Sequence, residues 1–227
     1  MIVHQTEPIT LVGGAAVCSA QLKRARAIAP AIVAADGGAD AALAHDAMPV
    51  AVIGDFDSIS EDARRRIPQV AQHPIPDQDT TDFDKCLSNI SAPLIVGVGF
   101  SGDRLDHQLA AYSSLVRHPW QRCILLGREE LVFLCPPALD LPLTSGCPVS
   151  LFPMGAVEGR SEGLRWPIGG LNFAPDGRIG TSNAALGPVS LTLTAPKMLV
   201  ILPEATLETV ARRLIATPAR WPDRAPQ

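Results

Sequence analysis

Aspartates recur where short apolar runs end. Asp36 follows Ala31 to Ala35, Asp55 and Asp57 follow Val50 to Ile53, and Asp77, Asp79 and Asp82 follow Val70 to Ile75. If those runs are parallel strands, the carboxylates gather outside the carboxyl ends of the sheet, where open α/β sheets place their ligand crevice. Ionised carboxylates brought together there repel one another unless a cation neutralises them. Hard oxygen donors without a His/Cys cluster select Mg²⁺ over zinc, and Mg²⁺ is commonly shared between one or two carboxylates and substrate phosphates. A single strand-end aspartate is more simply a helix cap or turn former, but three successive strand ends favour a site.

Donors for an anion are also present. Gly97-Val-Gly-Phe-Ser-Gly102 runs off a fifth apolar run toward a helix expected to start near Asp103, so it reads either as a phosphate loop or as a tight turn. Lys85 and Arg104 add cationic side chains. Residues 97–102 satisfy GxGxxG as text, but the motif is not on the first strand and no acidic residue closes the next one, which disfavours a dinucleotide site. Asp55-x-Asp57 also resembles the nucleophile loop of haloacid-dehalogenase-type phosphatases. A Mg²⁺-dependent phosphohydrolase therefore stands as an alternative, as does a nucleotide-binding protein without turnover. No GxSxG occurs. Of the five histidines, His4, His45, His73 and His118 are expected in surface or capping roles, and only His107 falls inside a motif.

The elements that must position these groups alternate. Strands are expected at 9–12, 31–35, 50–53, 70–75, 94–98 and 123–126, and helices near 16–29, 38–46, 60–67, 80–91 and 103–118. Ser58-x-x-Glu61 fits a capping box for the third helix. Phe83, Cys86, Leu87 and Ile90 form a core stripe on the fourth, with Asp82, Lys85 and Asn89 on its other side. Leu105, Leu109, Tyr112 and Val116 are expected to be the buried stripe of the fifth. Beyond about residue 128 the pattern turns to Pro- and Gly-punctuated alternation, as in Val189 to Thr194 and Met198 to Leu202, with one late helix at 204–215. The expected fold is α/β: an N-terminal, Rossmann-like open parallel sheet over 1–128, and a smaller C-terminal all-β sandwich or barrel over 129–227 that ends in a helix and a loose tail.

Composition narrows the function. The 227 residues carry 19 Lys plus Arg against 23 Asp plus Glu, a formal charge of -4, so nucleic acid has no basic field to bind. Arg64, Arg65 and Arg66 follow Glu61 and Asp62 and read as the solvated side of a short helix. No apolar run reaches the length of a membrane span and the start lacks a signal-peptide pattern, which makes a cytoplasmic address the expectation. Five cysteines, odd in number and never spaced as CxxC, read as reduced and mostly core.

Taken together, Gly13-Gly14, Ala35-Asp-Gly-Gly-Ala39, Ile53-Gly-Asp-Phe-Asp-Ser58, Asp77-Gln-Asp-Thr-Thr-Asp-Phe-Asp-Lys85 and Gly102-Asp-Arg-Leu-Asp-His107 resemble the motif series of the thiamine pyrophosphokinase family. Gly163 to Ile168 and Thr181-Ser-Asn183 resemble its vitamin-binding β domain. The resemblance implies transfer of a pyrophosphoryl group from ATP to the thiamine hydroxyl. Asp55, Asp57 and Asp82 would be Mg²⁺ ligands. Asp36, Gln78, Thr81, Lys85 and Arg104 would contact the nucleotide or its phosphates, with Asp106 supporting the Arg104 loop. Ser182 and Asn183 would hold the thiamine pyrimidine. It also implies a homodimer with thiamine at the subunit interface. Where some relatives carry a tryptophan after the Ser-Asn pair, this chain has Ala184 onward, which leaves Trp166 as the candidate stacking partner.

Overall fold

The computed structural model describes residues 1–102 and 104–222. The chain separates into two compact units, Met1–Ser114 with Leu125–Gly127, and Leu115–Ile124 with Arg128–Gln227.

The first unit contains β1 (Val3–His4), β2 (Ile9–Val12), α1 (Ser19–Ile28), β3 (Ala31–Ala35), α2 (Gly38–Leu43), β4 (Ala51–Gly54), α3 (Glu61–Arg66), β5 (Gln72–Pro74), α4 (Asp82–Asn89), β6 (Ile90–Ser91) and β7 (Ile95–Val98). It also holds most of α5 (Leu105–Arg117) and the end of β8 (Cys123–Leu126). Strands β7, β2, β3, β4 and β5 lie side by side in that order, all parallel. Each of β2, β4 and β7 is buried along its whole length, as expected for a sheet covered on both faces. The short β1 pairs separately with β6.

Three local expectations are corrected. The N-cap of α3 is Ser60, whose Oγ accepts from the Ala63 amide at 3.1 Å, whereas Ser58 hydrogen-bonds Asp57 through its own Oγ. Asp40 holds Ser60 from a neighbouring helix, so the cap position follows a tertiary contact rather than the Ser-x-x-Glu spacing. On α5 the buried residues are Ala111, Ser114 and Leu115, while Leu105 and Leu109 are exposed. The apolar spacing there runs along a helix whose first turns stand in solvent. His118, expected in a surface or capping role, is not at the surface: it is buried directly after α5 and meets the Trp120 ring edge-on with centroids 5.2 Å apart. Asp103, expected at the start of α5, lies outside the described residues.

The second unit contains β9 (Glu130–Leu134), β10 (Ala138–Leu141), β11 (Pro148–Pro153), β12 (Val157–Leu164), β13 (Asn172–Phe173), β14 (Gly180–Leu193), β15 (Met198–Pro203) and α6 (Leu207–Ala216). The 14-residue β14 serves two sets of neighbours. Its start pairs with β11, and its end pairs with β10 on one side and β12 on the other. Alternation along it buries Asn183, Ala185, Val189, Leu191 and Leu193. Arg122 caps the carboxyl end of α6, donating from Nη1 to Ile215 O at 3.0 Å and from Nη2 to Thr217 O. The tail, expected to be loose, is tied at Trp221, whose indole N–H donates to Cys135 O at 2.8 Å. Residues 223–227 lie outside the described residues. Cys86, Cys123 and Cys135 are buried, Cys147 is partly so, and Cys18 is exposed; all five are free thiols.

Candidate active site

The parallel order β2-β3-β4-β5 brings the loops after β3 and β4 together with the start of α4. Asp36, Asp55 and Asp57 each offer a carboxylate oxygen, all within 4.8 Å of one another. Asp36 is only 1% exposed and sits at φ +43°, a left-handed conformation that single Asp residues tolerate better than most. Its Oδ2 accepts the Ser58 amide at 2.9 Å, and its buried Oδ1 has no hydrogen-bond partner among the described residues. A buried carboxylate oxygen left without a donor carries a desolvation cost that a bound cation would remove.

Gly54, the last residue of β4, permits this convergence. A Cβ there would lie 2.6 Å from Asp36 Cβ and 3.1 Å from Asp82 Oδ1. Lys85 supplies the counter-charge. Its Nζ donates to Asp55 Oδ2 at 2.9 Å and to Asp82 Oδ1 at 3.0 Å, with the Lys85 side chain 2% exposed. Gln78 adds a donor to Asp55 Oδ2 at 3.2 Å, and the Asp57 amide bonds Asp55 Oδ1.

The charges respond to these contacts. Burial, opposed by the Ser58 amide and reinforced by repulsion from Asp82 and Asp55, holds the Asp36 carboxyl above the ordinary range. The hydrogen bond from Lys85 holds Asp55 below it. Burial works against the Lys85 ammonium, yet the bonds to Asp55 and Asp82 outweigh it and raise its pKa.

The remaining predicted residues separate into groups. Thr81 is the N-cap of α4 and exchanges bonds with Asp84 in a capping box, which orients Asp82 and Lys85 on the first turn. Phe83, Cys86, Leu87 and Ile90 are buried as their spacing indicated, but Lys85 is buried as well rather than on an open face. Arg104 and Asp106 form an exposed ion pair at 2.7 Å. The Gly97–Gly102 segment packs against the loop after β2: a Cβ on Gly99, at φ +76°, would lie 2.6 Å from Gly13 O, and one on Gly13 would lie 2.5 Å from Gly99 O. Close backbone crossing explains both glycines. Phe100 stacks on Phe83 with centroids 4.4 Å apart, joining that loop to α4.

In the second unit, Ser182 is exposed at φ +63° and its amide donates to Ser150 Oγ at 3.1 Å. Asn183 is buried, and its side chain serves the chain itself. Oδ1 accepts from the Trp166 and Ala184 amides at 3.2 and 2.8 Å, and Nδ2 donates to Trp166 O at 2.8 Å. Trp166 is thereby held by its backbone while the residue stays 56% exposed, with the Arg165 guanidinium 5.6 Å from its ring centroid. Sequence reasoning missed Arg64, which donates to Phe56 O between the two loop aspartates and places its Cζ 5.3 Å from the Phe56 ring centroid. A cationic residue in the last turn of the short helix that follows the Asp-x-Asp loop was the available signal.

A parallel α/β sheet whose strand ends converge three carboxylates beside a buried lysine has a donor set that could hold a hard cation. The model of the thiamin pyrophosphokinase catalytic domain matches residues 22–125. Thiamine pyrophosphokinase 1 of Arabidopsis thaliana is 30% identical over 154 residues, covering 60% of this chain and 58% of that protein. Thiamine pyrophosphokinase 1 of rice (Oryza sativa subsp. japonica) is 29% identical over the same shares. The chain thus spans less than two thirds of the length of these curated relatives. Among solved structures, yeast thiamin pyrophosphokinase superposes with a TM-score of 0.72 at 17% identity, covering 93% of this chain and 89% of that one. The Bacillus subtilis enzyme gives 0.69 at 21% identity over 87% and 98%. These likenesses establish a shared mixed α/β fold, a Rossmann-like sheet with further β-strands. Among the described residues, no helix is long and apolar enough to cross a membrane.

Proposed function

We propose that this protein is a Mg²⁺-dependent thiamine pyrophosphokinase, transferring the terminal pyrophosphoryl group of ATP to the thiamine hydroxyl. The observation that carries the reading is the Asp36, Asp55 and Asp57 cluster with its unpartnered buried Asp36 Oδ1, set beside Lys85 in a segment matched by that family's catalytic domain. Residues 1–128 bind ATP and metal in this reading, and residues 129–227, a β sandwich or barrel, bind thiamine. The assembly is a cytoplasmic homodimer with thiamine at the subunit interface.

The donor set suits Mg²⁺: oxygen ligands only, from the loops after β3 and β4 and the first turn of α4. Asp55, Asp57 and Asp82 are the expected ligands, with Asp36 close enough to Asp55 and Asp57 to join them. Bound there, Mg²⁺ supplies charge neutralisation for the β- and γ-phosphates. The protein's own contribution is positioning and fixed charge, the main requirement of phosphoryl transfer. Lys85 keeps Asp55 ionised and holds both Asp55 and Asp82 in place. Gln78 steadies Asp55, Thr81 fixes the first turn of α4, and Asp36 ties the loop at Ser58. Arg104, paired with Asp106 and exposed, is available to a phosphate. Ser182 presents its hydroxyl, and Asn183 anchors the Trp166 backbone so that the exposed ring serves as a platform for thiamine. In the reaction the thiamine hydroxyl oxygen bonds to the β-phosphorus and its proton is released. The bond from that phosphorus to the α,β-bridging oxygen breaks, and AMP leaves with the bridging oxygen.

Incubation with ATP, Mg²⁺ and thiamine, followed by separation of nucleotides and thiamine esters, tests this. Equal amounts of AMP and thiamine diphosphate are expected. Inorganic phosphate as the product would assign a phosphohydrolase, and binding without product a non-catalytic role. AMP formed equally without thiamine would overturn the reading.

A further inference from the structure

Asp55 and Asp57 flank Phe56, which sits at φ +68°. A bulky L-residue is sterically disfavoured there, so the conformation persists only if its surroundings hold it. The holding contacts come from α3. Arg64 donates from Nη2 to Phe56 O and lies over the Phe56 ring, while the ring packs against the cluster of Ala34, Ile59, Ala63 and Ile67. Helix α3 is itself pinned at both ends. Asp40 accepts from the Ser60 amide at 2.9 Å and from the Ser60 hydroxyl, and Gln72 Nε2 donates to Arg64 O and Ile67 O, each at 2.9 Å. The adjacent arginines do something different: Arg65 pairs with Glu61 and Asp62, and Arg66 with Asp62, all exposed.

We infer that Arg64 is a positioning residue for the cation site: by clamping Phe56 in the left-handed region it aims Asp55 and Asp57 toward Asp36. This rests on the proposed reading of the cluster as a divalent-cation site. Outer contacts that orient metal ligands typically change metal affinity or activity by about 10–100-fold when removed, and a residue on the far side of the ligand loop belongs at the lower end.

The test is titration of the full chain with Mn²⁺ alone, with free Mn²⁺ read by electron paramagnetic resonance, alongside the kcat and the Mg²⁺ half-saturation of turnover. Arg64→Ala is expected to weaken Mn²⁺ binding by about tenfold. Arg64→Lys, which keeps a donor for Phe56 O, retains most of the affinity, and Arg65→Ala binds as wild type does. Thermal melts without metal confirm folding, and Arg64→Met, which has no donor for Phe56 O, supplies the same comparison if the alanine variant does not fold. Wild-type Mn²⁺ affinity in the donor-less Arg64 variant would overturn the clamp, as would a loss of kcat at unchanged Mn²⁺ affinity, which would make Arg64 a substrate contact. Failure of the wild-type chain to bind Mn²⁺ would instead overturn the cation reading itself.

Discussion

The Lys85 ammonium lies 2.9 Å from Asp55 Oδ2, a contact between the first turn of α4 and the end of β4, 30 residues apart in sequence. The same nitrogen reaches Asp82 at 3.0 Å. One buried cation thus spaces two carboxylates that would otherwise repel each other, and three predictions test how far the site depends on that arrangement and on the room left for it.

Replacing Lys85 with Met keeps the length of the side chain and removes the charge. Breaking a buried pair from one side leaves uncompensated charge, and because Asp82 is 30% exposed the cost is discounted to about 2 kcal/mol. Urea denaturation should show that loss, and diphosphotransfer should fall to background. Retention of both stability and turnover would contradict the role given to Lys85.

The pH dependence follows from the same contact. Asp55 is held below its ordinary 3.8, so its contribution to stability is present above that value and is lost as pH falls through the depressed folded value. Lys85 is raised above its ordinary 10.5, so its contribution is present below that value and is lost as pH rises through the raised one. The stability difference between wild type and Lys85→Met should therefore be flat through the neutral range and shrink at both extremes. Melting curves of the two proteins measured across pH check this, and a difference that changed between pH 5 and 8 would contradict it.

Gly54→Ala probes the convergence directly. The added methyl meets Asp36 Cβ and the Asp82 carboxylate, so overpacking should cost about 1–3 kcal/mol and spread the acids. Mg²⁺ half-saturation should rise more than the KM for thiamine does. An equal rise in both would point to general unfolding instead.

A fourth prediction concerns the second unit. Asn183→Ala strips partners from the Trp166 amide and carbonyl, with a cost of about 1–2 kcal/mol. Asn183→Asp keeps the acceptor but sets a buried carboxylate oxygen against Trp166 O in place of the donor, so it should loosen the same contact. Hydrogen exchange of residues 164–166 should quicken in both variants, and the KM for thiamine should rise in parallel. Unchanged exchange in the alanine variant would remove the anchor role.

The sequence by itself determined much of the frame. The runs Ile9 to Val12 and Ala31 to Ala35 are strands at their expected bounds, and the aspartates after the second and third strands stand where those runs end. Local period and turn chemistry suffice for that, because the information lies within a few neighbouring residues. Tertiary structure decided which charges meet. Whether Lys85 faces solvent or two carboxylates depends on α4 packing beside β4, and whether Ser58 or Ser60 caps α3 depends on Asp40 arriving from α2. Leu105 and Leu109 have the spacing of a buried stripe, yet spacing cannot say whether anything covers that face. The left-handed conformations of Asp36 and Phe56 are likewise not favoured by their own residue types alone. Contacts across 22 and 8 residues, from Asp36 to Ser58 and from Arg64 to Phe56, hold those loops, and such contacts form only once strand order has been set.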